Sequence, residues 1–130
     1  MTQTFFAPAL DLLIKIVKSY DLDPDSLLRE CDIDPALVAD PNTRFPLAKV
    51  AELFNKAEEL IPDPSFGLKA GQFWHPSQMG ALGYAWMTSD TLRAACERLS
   101  RFANVINNAT DITLTESRSG LSVSLDYSKQ

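Results

Sequence analysis

The spacing of apolar residues changes near residue 110, and that change limits the fold of this chain more than any other feature. Before it, apolar positions recur at three and four residues, as on one face of a helix. After it, Ile112 and Leu114, then Leu121, Val123, Leu125 and Tyr127, alternate with Thr113, Thr115, Ser122, Ser124 and Asp126 around the turn Ser117-Arg118-Ser119-Gly120. The two periods together predict a mainly α fold with a C-terminal β-hairpin (α+β), a multi-helix bundle over residues 1–109 and the hairpin over 110–130, in one domain spanning 1–130. Two strands alone rarely hold together in water and leave open edges. The sheet is therefore expected to be completed by polypeptide downstream, with this chain a piece of a larger domain.

The helical part divides at its prolines, all of which lie at or before Pro76. From Pro8 to Tyr20, Leu10, Leu13, Ile14, Val17 and Tyr20 form one helical face that Leu12 and Ile16 widen, so this helix should be deeply buried. Asp23-Pro24-Asp25-Ser26 supplies an N-cap and a proline at the first helical position, and Asp34-Pro35 repeats the device, which predicts short helices of about six to eight residues. Pro46 to Ile61 carries the stripe Leu47, Val50, Ala51, Phe54, Ala57 and Ile61, with Lys49, Glu52, Lys56 and Glu59 outside and spaced for ion pairs. Pro62-Asp63-Pro64 ends it. A shorter helical stretch follows from Ser65, with Gly71 as its expected C-cap. Gln78 to Thr88 reads as a helix with Gly80 and Gly83 on a small side that invites a neighbouring helix. Ser89-Asp90 then caps the expected longest helix, with Leu92, Ala95, Cys96, Leu99, Phe102, Ala103 and Ile106 on its apolar face.

Charge and composition exclude several classes. Residues 1–65 hold six basic and twelve acidic side chains, residues 66–130 six and five, for a net charge of −5. An acidic domain is repelled by phosphate backbones, so nucleic acid is a poor direct partner. The run Leu12-Leu13-Ile14 stops at Lys15, far short of the roughly 18 to 20 residues of a membrane span. The N-terminus has no basic region and Asp11 interrupts its apolar stretch, unlike a secretory signal, so a cytoplasmic protein is expected. Cys31 and Cys96 are too few and too isolated for a disulfide framework or a zinc site, and read as reduced thiols packed in helices.

No phosphate loop, metal-ligand pair or nucleophile motif occurs. His75 is the only histidine and precedes Pro76; a loop residue near the surface is the plainer reading, an enzyme built on it the weaker one. Asp23, Asp25 and Asp34 lack a cation-loop spacing and read as helix caps. No metal, cofactor or catalytic residue is expected. Phe73-Trp74-His75 and Tyr84-Ala85-Trp86-Met87 either pack in the core or wall an apolar pocket. Arg44 either holds an acidic ligand or makes a surface ion pair.

Three stretches carry a resemblance. Asp63-Pro64-Ser65-Phe66-Gly67-Leu68-Lys69-Ala70-Gly71, then His75-Pro76 with Gly80-Ala81-Leu82-Gly83-Tyr84-Ala85, then Ser89-Asp90-Thr91-Leu92-Arg93-Ala94-Ala95, resemble the N-terminal, arabinose-binding-like domain of AraC-type transcriptional regulators. The likeness runs from Thr43-Arg44-Phe45-Pro46 to the start of the hairpin. It implies a longer bacterial regulator whose C-terminal pair of helix-turn-helix units, absent from this chain, binds DNA. This chain would then be a fragment of the effector-sensing domain, a dimerisation domain, or both. Implied partners are a small-molecule effector (an amino acid, another metabolite or a fatty acid), a second copy of the chain, DNA only through the absent domain, and no membrane. No family motif names ligand residues here. On physical grounds the expected ligand contacts are Trp86 and Tyr84 as walls, with His75 and Arg44 as polar or anion contacts. The competing class is a helical interaction module without a small ligand, docking through the Gly80/Gly83 face or the hairpin edge.

Overall fold

The computed structural model of the chain describes residues 2–128. Its element order is β1 (Thr4–Phe6), α1 (Asp11–Lys18), α2 (Pro24–Glu30), β2 (Arg44–Pro46), α3 (Leu47–Leu60), α4 (Ala70–Phe73), α5 (Ala81–Met87), α6 (Leu92–Phe102), β3 (Asp111–Ser117) and β4 (Gly120–Asp126), joined partly by short 3-10 turns.

The N-terminal half carries the continuous interior. The segment expected as one helix from Pro8 begins as a 3-10 turn, Ala7–Leu10, before α1 continues it. Leu10, Leu13, Ile16 and Val17 are buried, as the apolar face requires, against Leu27 and Leu28 of α2 and Val50, Leu53 and Ala57 of α3. The face of α3 is rotated from its expected position: Leu53 is buried, whereas Ala51 and Phe54 are exposed. Ion pairs hold its outer side, Lys56 with Glu52 at 3.4 Å along the helix and Lys49 with Asp32 at 2.7 Å across to the turn after α2. The aspartate caps form as expected, Asp23 accepting from the Asp25 amide at 3.1 Å and Asp34 from the Ala36 amide at 2.9 Å. The second cap opens only a three-residue 3-10 turn, Pro35–Leu37, in place of a short helix.

Two short strands escape the sequence periods altogether. β1 pairs antiparallel with β2, Thr4 opposite Pro46 and Phe6 opposite Arg44. On its other side β1 meets the segment after α6, with the Phe6 amide donating to the Ile106 carbonyl at 2.7 Å and an isolated bridge between Phe5 and Asn107. β1 is thus a clasp between the two halves of the chain.

The second half is looser. Gly71 does not cap a helix; it lies inside α4, which ends at Phe73. The helix expected over Gln78 to Thr88 is broken by Gly80, whose φ of 58° and ψ of −137° divide a 3-10 turn, Pro76–Met79, from α5. The small side of this segment does pack closely, but not on a helix. A Cβ added at Gly83 would stand 1.8 Å from the carbonyl oxygen of Pro76. Thr91, not Ser89-Asp90, caps α6 by accepting from the Ala94 amide, because Ser89 is engaged with Ala85 and Arg98. At 11 residues α6 is shorter than the 14-residue α3 and buries only Ala95 and Cys96, with Leu92 and Phe102 exposed.

The hairpin forms in the expected register, Ile112 opposite Leu125 and Leu114 opposite Val123, so its apolar residues share one face. β3 lies against α6, where the Ser100 hydroxyl donates to the Ile112 carbonyl and Arg93 pairs with Glu116. The sheet has two strands among the described residues, and Val123, Leu125 and Tyr127 stay exposed. Cys31 and Cys96 are buried free thiols, as expected. No helix among the described residues is long and apolar enough to cross a membrane.

Candidate ligand site

An apolar cavity of about 300 Å³ lies between the two halves, at the lower end of the range for small-molecule sites. Leu12 and Ile16 of α1 and Phe54 of α3 come from the N-terminal half; Phe66, Trp74 and Ile106 come from the second. The outward side of α1 supplies a wall because its apolar face is wider than the interior beneath it needs, and Phe54 reaches the cavity from the exposed flank of α3.

Among the described residues that line it, Gln78 and the indole N–H of Trp74 supply the polar side-chain groups, and Gln78 is 3% exposed. Its Nε2 donates to Asp11 Oδ2 and to the Phe73 carbonyl, both at 3.1 Å, while its Oε1 accepts from the His75 amide at 3.0 Å. Asp11 Oδ2 also receives Lys15 at 3.0 Å. One buried amide therefore ties α1 to the end of α4 and to the Pro76–Met79 turn, and forms part of the cavity wall while doing so. A second, more polar cleft of about 400 Å³ lies beside the same amide, with Asp11 and Ser77 in its wall.

None of the four residues expected from sequence to touch ligand lines the apolar cavity. His75 is exposed and caps the Pro76–Met79 turn, its Nδ1 accepting from the Ser77 amide at 3.2 Å. Arg44 is exposed and spends its guanidinium on the clasp, with Nε donating to Thr4 Oγ1 at 2.7 Å and Nη1 to the Val105 carbonyl. Tyr84 is exposed at the surface of α5. Trp86 edges a shallow depression with Met87 and Leu92, distinct from the cavity. The structure does not gather these four into one site. Trp74, within the aromatic cluster singled out from sequence, is the member of that set that reaches the cavity. Leu12 and Ile16 are legible as a surplus of apolar surface on α1 and Ile106 as the end of the apolar face expected for the last helix, whereas Phe66 carries no periodic signal.

Further along the same boundary, the Tyr20 hydroxyl donates to Asp63 Oδ2 at 2.6 Å and Lys69 sits 3.8 Å over the Tyr20 ring. The hydrogen bond to a carboxylate pushes the Tyr20 phenol up to about 12 and holds Asp63 below the usual carboxylate range.

Residues 22–129 match the family model described as the arabinose-binding domain of AraC transcription regulators, N-terminal. The chain is also 27% identical over 104 residues to the ornithine utilization regulator of Pseudomonas aeruginosa. That match takes in 80% of this chain and 31% of the regulator, so the chain spans about a third of its relative's length. The family model covers most of the chain, including α2 to α6 and the hairpin, and the chain belongs to the N-terminal arabinose-binding domain family of AraC transcription regulators.

Proposed function

We propose that this chain senses a small-molecule effector in the apolar cavity and passes the result to a DNA-binding part of a longer cytoplasmic regulator, with no catalysis of its own. The observation that carries the reading is that the cavity draws its walls from both halves of the chain. Filling such a cavity favours whichever arrangement of the halves closes around the ligand. The route outward runs from Trp74 and Gln78 through the Pro76–Met79 turn to Gly83, which seats α5 on that turn, and then through α6 to the hairpin. Coupling of about 1 to 3 kcal/mol between effector and DNA would be ordinary for such a device.

In this reading residues 1–109 and the hairpin 110–130 act as one unit, DNA is contacted only by the rest of the regulator, and a second copy of the chain is a partner. Direct ligand contact by Trp86, Tyr84, His75 and Arg44 belongs to a variant of it with the effector on the outer surface. The cavity is preferred because those four do not converge. The interaction-module reading, docking through the hairpin edge, is favoured instead by exposed Val123, Leu125 and Tyr127, and predicts stable association without any ligand response.

The test is to screen metabolites for those that raise the Tm of the chain, then titrate each into the full-length regulator on its DNA. Sensing predicts that stabilising ligands change DNA affinity by about five- to 150-fold. Unchanged DNA affinity with every ligand that binds would sink the proposal.

A further inference from the structure

We infer that the part of the effector taken into this cavity is an uncharged hydrocarbon group, alkyl or aromatic, and not a charged amino acid or a sugar. The inference rests on reading the cavity as the effector site. No ionisable side chain among the described residues lines the cavity. The nearest acid in the surrounding network, Asp11, lies outside its wall and already holds Lys15 and Gln78. An ammonium or carboxylate drawn inside would lose water and meet no countercharge.

A sugar fares little better. Both N–H donors of Gln78 are taken and its carbonyl already accepts from the His75 amide, so a ring of hydroxyls would find few partners beyond the second lone pair of that oxygen and the Trp74 indole N–H. A hydrocarbon group asks nothing of Gln78 and gains contact with Leu12, Ile16, Phe54, Phe66, Trp74 and Ile106. A charged head is compatible with this site only if it stays outside, in water. The amide that closes the wall thus disfavours polar guests, because both of its N–H donors are already spent within the chain.

The experiment is calorimetric titration of the chain with octanol, with octanediamine, which carries an ammonium at each end, with L-ornithine and with L-arabinose. Two variants fill the cavity, Ala70→Leu and Gly67→Leu. The second, at an exposed lining glycine, places its new Cβ where no heavy atom lies within 4 Å, so it strains the fold less than the first. The expected result is that octanol binds one site, that octanediamine binds at least about a hundredfold more weakly because one charge must be buried, and that both variants weaken octanol at least about tenfold. Binding of ornithine, arabinose or the diamine as tight as octanol, and lost in the variants, keeps the cavity as the effector site and overturns the hydrocarbon class. Octanol binding that neither variant alters places it on the outer surface and overturns the inference. No binding by any probe removes the cavity as a ligand site and takes the sensing proposal with it.

Discussion

The halves of this chain on either side of Ile61 solve the burial problem differently. Every member of the main buried cluster lies between Ala7 and Ile61. Of the large apolar residues left exposed, only Leu37, Phe54 and Leu60 belong to that half, whereas ten follow it, from Leu68 to Tyr127. The first half has an interior; the second has faces. Stability and responsiveness are thereby separated: α1, α2 and α3 supply a fixed wall, and the segment from Phe66 through α6 to the hairpin has fewer buried contacts to lose when it moves.

The sharpest test of this difference is a pair of truncations. Leu53→Ala removes a 2%-exposed side chain from the packed half and should cost about 2 to 5 kcal/mol in urea unfolding. Leu92→Ala, at 72% exposure, should stay within about 0.5 kcal/mol. Equal costs would erase the distinction between the halves.

Gly83→Ala probes a place where the second half is closely packed, α5 against the Pro76–Met79 turn. Its Cβ would collide with the Pro76 backbone, so we expect about 2 to 3 kcal/mol of destabilisation by the same measurement. Because the seat of α5 on the Pro76–Met79 turn is what shifts, amide exchange should quicken across residues 76–87 before it does in α3. A uniform change would argue against a separately mobile second half.

The smallest effect expected is a pH dependence at the boundary. Tyr20 has a folded value raised from 10.0 to about 12, so the contribution of its bond to Asp63 is complete below pH 10 and is lost as pH rises towards 12. Asp63 has the opposite sense: held below its usual range, it contributes above about pH 4 and loses that contribution as pH falls through its folded value. The difference in Tm between the chain and Tyr20→Phe should be flat from neutral pH to about pH 10 and shrink above it. A gap that persists at pH 12 would place the Tyr20 effect in packing alone.

Local signals explain which elements were legible. The face of α1, the span of α3, the Asp23 and Asp34 caps and the hairpin with its turn follow from periods and cap chemistry that act within a few residues. β1 and β2 escaped because their pairing joins residues about forty positions apart and three-residue strands have no period to read. Gly80 was misread as a helical position because nothing in the sequence distinguishes a glycine placed for small size from one placed for a positive φ. Trp86 and Tyr84 were favoured as ligand walls for their chemistry, yet α5 turns Tyr84 outward and puts Trp86 beside Met87 and Leu92. The cavity itself depends on where two halves meet, which no single helix encodes.

The clasp at β1 also sets an order in time. Its pairing with β2 closes a loop of about forty residues, and its bond to Ile106 closes one of about a hundred. On a growing chain the packed half can assemble as soon as α3 has emerged, but the second side of β1 has no partner until Ile106 has been synthesised. The cavity, walled in part by Ile106, is therefore among the last features to be completed, after the packed half that supplies its other wall.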